Sequence, residues 1–482
     1  MTRVSPTPHD TVFERYPPSA SVIAASLAGT RQSVFWLDEL GAGVTYPALA
    51  GAPTTDLVVV GGGFTGLWTA LRAKQRDPDR RVVLLEAKRI GWAQSGRNGG
   101  FVEASITHGE ENGRSRWPAE YAQLARLGME NLDAIERTVA ELGLDVQWER
   151  TGELDVATEP HQVEWLTGTP PSEGDSDVVR WDREQVQEQV HSPSYLGGTW
   201  RKREVALVHP GRLVRELARA AAELGVEIFE NSPVRRLDAV ADGVEVVTDA
   251  ARVHASHVAL GTSVFPSLLV RNRLMTVPVY DYVLMTEPLD ARQLASVGWK
   301  DRQGIGDLAN QFHYSRRTAD DRILFGGYDA IYRYGGRVRA KYEDRPESFQ
   351  KLASHFFTLY PQLEGLRFTH RWAGAIDTST RFCAFFGTAR KGRVAYAAGF
   401  TGLGVGATRF AADTMLDLLS GAATERTELE MVRKRPVPFP PEPAASAGIA
   451  ATRWSLDRAD HREGSRNVLL RTLDALGLGF DS

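Results

Sequence analysis

The tightest constraint in this sequence lies between residues 56 and 86. An apolar run, DLVVV, leads into GGGFTG; a helix-like stretch, GLWTALRAKQ, follows, and then a second apolar run, RRVVLLE. Runs without polar alternation fit strands buried on both faces, as in parallel sheets. Strand, helix and strand in this order make a βαβ unit. Within it, Gly61, Gly63 and Gly66 stand in Gly-x-Gly-x-x-Gly spacing, with Phe64 and Thr65 between them. Gly61 permits the tight turn, Gly63 lets backbone approach a pyrophosphate, and Gly66 lets helix and strand pack closely. The pyrophosphate then meets free amides at the helix N-terminus. Glu86 ends the second strand 20 residues after Gly66, with Ala87 behind it. Its carboxylate suits a ribose hydroxyl and disfavours a 2′-phosphate. The spacing predicts a dinucleotide site without separating FAD from NAD.

Two more glycine clusters favour FAD. SGRNGG occupies 95–100, soon after Glu86, and GFTGLGVG occupies 399–406 just before a helical pattern. The N-terminus of that late helix could stabilise negative charge on a reduced ring. A nicotinamide enzyme has less need of a distant second backbone cradle. Eleven of the 45 glycines of the chain thus fall in three short clusters where a ligand must come close.

Composition removes other classes. The formal charge of -4 over 482 residues gives no electrostatic footprint for nucleic acid. A 42% hydrophobic and 24% charged content is that of a folded chain, with about three domains expected from its length. One cysteine excludes an internal disulfide and a multi-cysteine metal site, and suits a reducing compartment. The eleven histidines show no HExxH-like ligand pair, so no metal is expected. No GxSxG elbow occurs. The opening MTRVSPTPHD lacks a signal-peptide core and no stretch reaches 18 apolar residues, so a cytoplasmic location without a membrane role is expected.

Further along, 117–143, 209–230 and 348–365 carry helical spacing, and 256–263 reads as a buried strand ending at Gly261. Residues 274–330 mix β-branched and aromatic residues, and QFHYSRRTADDRILFGGYD reads as two strands about an Asp-rich turn. That predicts a second domain on an antiparallel sheet, interleaved with the first. The expected division is 51–115, 205–268 and 370–425 for the dinucleotide domain, and 116–204 with 269–369 for the second domain. Residues 1–50 form an N-terminal extension packed on the body. Residues 426–482 form a C-terminal extension with a Pro-rich crossing and a helix in SRNVLLRTLDALGLG.

Taken in order, GGGFTGLWTALRA, Glu86, SGRNGGF, HPGRLVRELARAAAELGVEI, RTADDRILFGG and GFTGLGVGATRFAADTMLDLL resemble the D-amino-acid oxidase/glycine oxidase superfamily of FAD-dependent amine oxidoreductases. The nearest branch in flavour is that of gamma-glutamylputrescine oxidoreductase-like proteins, and the resemblance spans about 50–425. It implies an α/β fold: a Rossmann-type FAD-binding domain interleaved with an α+β substrate domain built on an antiparallel sheet. It also implies that FAD, bound extended, takes a hydride at N5 from the amine-bearing carbon of a small amine or amino acid. The imine then hydrolyses to an aldehyde or keto acid, and oxygen is reduced to hydrogen peroxide. Amine dehydrogenation with another acceptor, or a non-catalytic flavin-binding accessory subunit, are the alternatives.

By the resemblance, Gly61, Gly63 and Gly66 match the phosphate-binding glycines and Glu86 the ribose-binding acid. Ser95, Gly96, Arg97, Asn98, Gly99 and Gly100 match the segment beside the flavin ring, and Gly402, Leu403 and Gly404 the loop at its pyrimidine end. Val234 matches the strand position whose backbone meets the adenine. Trp372-Ala-Gly-Ala-Ile-Asp377-Thr-Ser-Thr departs from the Trp-Gly-Gly and Asp-Gly-x-Pro pattern of several relatives, which leaves the substrate side open. Cys383, in RFCAFF, does not sit in a flavin-linking motif and reads as a small buried residue.

Amine oxidation asks orientation and desolvation of the protein, because the cofactor carries the electron chemistry. The substrate-side candidates come from the second domain. Tyr280 and Tyr282 alternate with Asp281 on one strand, as pocket walls or ordinary sheet packing. His313 and Arg316, with Tyr314, lie on another; Arg316 or Arg317 could instead pair with Asp320 or Asp321 across the turn. Arg97 could brace its own loop, for example to Glu103, and Asp377 is a candidate polar wall.

Overall fold

The computed structural model describes residues 9–166 and 177–479. The βαβ unit forms as expected: β1 (Thr54–Val60), α1 (Phe64–Arg76) and β2 (Val82–Leu85). Next come β3 (Phe101–Glu103), α2 (Tyr121–Glu141), β4 (Glu153–Ala157), β5 (Val178–Trp181), β6 (Gly197–Arg201) and β7 (Val205–Leu207). Helix α3 (Pro210–Glu223) has proline at its first turn and His209 as N-cap, accepting from Arg212 N at 3.1 Å. It leads to β8 (Val226–Phe229), β9 (Val234–Ala239), β10 (Val244–Thr248) and β11 (Arg252–Leu260).

The second half of the chain supplies β12 (Thr276–Thr286), β13 (Gly304–Asp307), β14 (His313–Arg317), β15 (Ile323–Gly327), α4 (Pro346–Leu359) and β16 (Phe368–Ser379). It ends with β17 (Phe385–Ala389), β18 (Val394–Ala398), α5 (Ala407–Ser420), α6 (Ala444–Asp460) and α7 (Val468–Ala475).

Two large sheets organise these elements. The first runs β9-β10-β11-β1-β2-β8, with β18 beside β11 and β17 beside β18. Its centre is parallel, and β2 is buried throughout. Helices α1, α3 and α5 pack on it in one apolar cluster with β1 and β2. The second sheet runs β16-β12-β15-β14-β13-β4-β6-β5, and the short strand Arg31–Gln32 adds to its β16 edge. It is mixed rather than purely antiparallel, because β13 pairs with β4 in parallel.

The interleaving is as expected, but two boundaries move. Helix α2, expected with the second domain, buries Leu124, Leu127, Leu132 and Ile135 in the same cluster as Leu57 and Val59 of β1. Strand β16, expected mostly in the first domain, pairs along its length with β12. The chain returns to the first sheet only at β17, because register with β12 satisfies the β16 backbone in the second sheet.

The described parts of both extensions, 9–50 and 426–479, carry helices. Trp36 in the N-terminal extension is 1% exposed, and its Nε1 donates to Asn98 O at 2.9 Å. In the C-terminal extension, helix α7 falls where the spacing predicts, whereas α6 was not anticipated. The Asp460 carboxylate, near the end of α6, accepts from Asn310 N and Nδ2 and from Gln311 N. No helix among the described residues is long and apolar enough to cross a membrane.

Candidate functional site

One cavity of about 2480 Å³ runs from the end of β1 to the face of the second sheet. That exceeds the volume of a drug-sized ligand site. Gly61, Gly63, Phe64, Thr65, Glu86 and Ala87 line it, as do Ser95, Arg97, Asn98, Gly99 and Gly100. Val234, Gly261, Gly402, Leu403 and Gly404 line it as well. Gly66 and Gly96 are set behind the wall. A Cβ on Gly66 would lie 1.8 Å from Gly61 O, and one on Gly96 would lie 2.2 Å from Gly91 O. These two glycines act through packing, and the loops they support face the cavity.

The residues present fit a dinucleotide. Gly63 caps α1 without a side-chain hydrogen bond, so first-turn amides other than that of Phe64 remain for an anion. A Cβ on Gly61, at φ +112°, would lie 2.4 Å from Gly261 O, so close approach there needs glycine. Ser95 Oγ accepts from Phe64 N at 2.9 Å, which ties the SGRNGG loop to the start of α1. The Glu86 carboxylate accepts from Gly62 N (2.7 Å), Lys88 N (2.8 Å) and Trp92 Nε1 (2.9 Å). A carboxylate has about four acceptor positions, so one remains for a ribose hydroxyl.

The SGRNGG loop is held from several sides. Trp372 Nε1 donates to Arg97 O at 2.7 Å, and Asn98 Oδ1 accepts from Gly100 N at 2.9 Å. Arg97 pairs with Glu343 at 2.5 Å and also reaches Trp92 O, so its partner is not Glu103. Asp377, 5% exposed, accepts from Gly399 N at 2.6 Å and so anchors the late glycine loop. Burial pushes its carboxyl up to about 6, against the amides of Gly399 and Phe400. Cys383 is fully buried and does not line the cavity.

The four substrate-side expectations need correction. Side chains alternate across a strand, and on β12 the cavity face carries Val277, Val279, Asp281 and Val283. Tyr280 and Tyr282 are on the opposite face, in the core with Phe349 and Phe356 of α4. Tyr280 Oη accepts from Arg339 N at 2.9 Å, and Tyr282 Oη donates to Tyr342 O at 2.8 Å. His313 shares that buried face: its Nδ1 lies 2.6 Å from Asp307 Oδ2 and its Nε2 2.8 Å from His355 Nδ1. Arg316 lies behind the SGRNGG loop, donating to Val208 O at 2.6 Å and to Gly99 O and Gly100 O at 3.4 Å. The turn pair is made by its neighbour, Arg317 to Asp321 at 3.2 Å.

The cavity is floored instead by residues adjacent to those candidates. Tyr314 Oη donates to Asp281 Oδ2 at 2.6 Å, and Tyr282 N donates to Oδ1 at 2.9 Å. Gly326 makes room for the Tyr314 ring; a Cβ there would lie 2.6 Å from Tyr314 Cζ. Burial pushes the Asp281 carboxyl up to about 6, against the Tyr314 hydrogen bond. The Tyr314 hydroxyl is raised well above its usual range by burial and by Asp281. Gly374 and Ile376 of β16 complete this part of the floor. The available signal was the alternation Val-x-Val-x-Asp-x-Val, in which Asp281 is the polar residue of an otherwise apolar face. Among the described residues, no group of three His, Cys, Asp or Glu is placed to hold a metal ion.

Comparison with known proteins matches residues 56–418 to the family described as FAD dependent oxidoreductase. A probable oxidoreductase OrdL of Haemophilus influenzae is 25% identical over 401 residues, covering 80% of this chain and 88% of that protein. The gamma-glutamylputrescine oxidoreductase of Escherichia coli is 29% identical over 381 residues, covering 77% and 84%. Among solved structures, glycine oxidase from Geobacillus kaustophilus superposes with a TM-score of 0.65 at 18% identity, covering 80% of this chain and 100% of that one.

Proposed function

Because this chain belongs to the FAD dependent oxidoreductase family, we propose that it oxidises the C–N bond of a small amine, with oxygen as the electron acceptor. When bound, FAD would supply the acceptor for the hydride that leaves the amine-bearing carbon; water would then split the imine into an aldehyde and ammonia or an amine, and oxygen would be reduced to hydrogen peroxide.

The observation that carries this reading is the Asp281–Tyr314 pair in an apolar floor, with a hydrogen bond of 2.6 Å. An ammonium group entering the cavity meets a carboxylate already oriented by a phenol. A charge-assisted hydrogen bond in such surroundings is stronger than a neutral one. Asp281, with its carboxyl raised to about 6, accepts an N–H and receives the proton as the amine becomes neutral. Val279, Val283 and Ile376 exclude water around the reacting carbon. Arg97, the nearby guanidinium of the flavin loop, is paired with Glu343. Arg97 is therefore not free to pair with a substrate carboxylate.

The resemblance to the Escherichia coli gamma-glutamylputrescine oxidoreductase fits an amine substrate. The open cavity of about 2480 Å³ argues against an accessory flavin carrier whose pocket is filled by its own side chains.

Anaerobic addition of an amine and amino-acid panel to the purified flavoprotein tests the proposal. Bleaching of the visible flavin bands by an amine is the expected result, followed by peroxide on readmitting air. Bleaching without peroxide assigns a dehydrogenase. Reduction by nicotinamide cofactors alone overturns amine oxidation.

A further inference from the structure

Away from Asp281, the same cavity holds a second group of charges. Along the cavity face of the second sheet, Tyr314 pairs with Gly306, Gly306 with Asp155, and Asp155 with Thr199. Two strand spacings, about 10 Å, separate Tyr314 from Asp155. Gly306 leaves this stretch open; a Cβ there would lie 3.4 Å from Glu153 Oε1 and 3.6 Å from Asp155 Oδ1. Glu103 approaches from β3, the strand that continues the SGRNGG loop, and also lines the cavity.

The charges here do not cancel. Arg201 pairs with Asp155 and, at 3.4 Å, with Glu204. Glu103 and Glu153 meet no hydrogen-bond donor among the described residues; burial and the neighbouring charges act on them. Arg180, beyond Thr199 on the edge strand, is the other guanidinium of this wall. An independent feature points to a ligand. The Thr199 hydroxyl, in a residue 7% exposed, lies on the same face and has no hydrogen-bond partner among the described residues. Two unpartnered carboxyls and an unpartnered hydroxyl are acceptors that match an N–H₃⁺ group. The group lacks the arrangement of a metal site, which leaves an organic cation.

We propose that Glu103, Glu153, Asp155 and Thr199 form a second cation subsite, which takes the far ammonium of a diamine or polyamine while its near amine is oxidised at the Asp281–Tyr314 pair. This rests on the amine-oxidation reading above. The bare Gly306 segment accommodates the methylene chain between the two ends, flanked by the Phe101 and Tyr314 rings, whose centroids are 5.8 Å apart.

The protonation of the subsite gives a signature independent of turnover. Burial pushes the Glu103 carboxyl up to about 7, against the pull of Arg201. Burial, Asp155 and Glu103 raise Glu153 well above the carboxylate range. Asp155 is raised by burial against Arg201, and Glu204, Arg201, Arg180, Tyr121 and Tyr314 are the other titratable groups around the site. A cation entering here ionises the carboxyls, so binding releases protons and tightens as pH rises through 7.

The experiment compares octylamine with diaminooctane on the holoenzyme. The expected result is a kcat/KM for diaminooctane at least tenfold above that for octylamine. Glu153→Gln brings that ratio towards one, and Glu103→Gln serves if the first variant is not folded. Calorimetry in two buffers of different ionisation heat reads proton release on diaminooctane binding, expected in wild type and diminished in the variants. Equal kcat/KM values for the two amines, or a ratio unchanged in the folded variant, overturn the subsite and leave amine oxidation standing. If neither amine reduces the flavin, the functional reading fails for this chain length. Calorimetry then decides the subsite alone: binding with proton release supports it, and no binding overturns it.

Discussion

The hydroxyl of Tyr314 donates to Asp281 Oδ2 at 2.6 Å, across the central strands of the second sheet. On the proposed reading this pair grips the substrate nitrogen. Asp281→Asn removes the charge but keeps an acceptor. The expected loss in kcat/KM for amines is about 2 kcal/mol or more, roughly thirtyfold, because hydrogen bonds to charged groups contribute about 1.5–3 kcal/mol. Steady-state kinetics check it, and an undiminished kcat/KM removes Asp281 from substrate binding.

The pH profile follows from the same pair. Amine binding needs ionised Asp281, whose carboxyl is raised to about 6. The rate of flavin reduction should therefore fall as pH drops below about 6. The Tyr314 hydrogen bond lowers this value, so Tyr314→Phe should move the acid limb to higher pH. Stopped-flow reduction across pH reads the shift; a limb that stays in place in the variant disproves the coupling.

Tyr280 and Tyr282 provide the contrast. Their hydroxyls bond to the backbone of Arg339 and Tyr342 on the face away from the cavity. Phenylalanine at either position should cost about 1 kcal/mol of stability, the net worth of one hydrogen bond, with amine kinetics unchanged. Denaturant unfolding and kcat/KM on the same preparations separate the two effects.

Asp377 links the late glycine loop to pH-dependent stability. Its carboxyl rises from 3.8 to about 6 on burial. The folded state thus holds this proton more tightly than the unfolded chain. The resulting stabilisation is full below about 4 and is lost as pH rises through about 6, by up to about 2–3 kcal/mol. Asp377→Asn should flatten that part of the stability profile while its side-chain oxygen still accepts from Gly399 N. Unfolding free energies between pH 4 and 7 give the answer, and an unchanged slope counts against Asp377 as the source.

The N-terminal extension should matter for the flavin. Trp36 Nε1 donates to Asn98 O at 2.9 Å, bracing the SGRNGG loop from behind. Trp36→Phe keeps most of the ring and removes the donor. Flavin affinity is expected to weaken by about 1 kcal/mol, roughly fivefold. Fluorescence titration of the apoprotein with FAD measures it.

Legibility differed sharply between the two halves of the site. Gly61, Gly63 and Gly66 could be read directly, because their demands are steric and local. A Cβ on Gly66 meets the oxygen of Gly61, five residues earlier, at 1.8 Å. Glu86 was equally legible, since strand β2 ends where the spacing places it. The substrate floor was not. Tyr280, Asp281 and Tyr282 are consecutive, and alternation says only that the tyrosines and the aspartate face opposite ways. Which face meets the cavity depends on where helix α4 packs. Its Phe349 and Phe356 cover the tyrosine face.

The same division holds across the molecule. Sequence alone determined the βαβ unit and its glycine turn, because short-range backbone sterics and unbroken apolar runs settle those features within a few residues. Tertiary structure decided that helix α2 joins the first core and that Arg97 pairs with Glu343. It also set Asp281 beside Tyr314, and Glu103 near Glu153 and Asp155. Each of these joins distant parts of the chain, and is chosen by which surfaces are buried together rather than by any residue's neighbours in sequence.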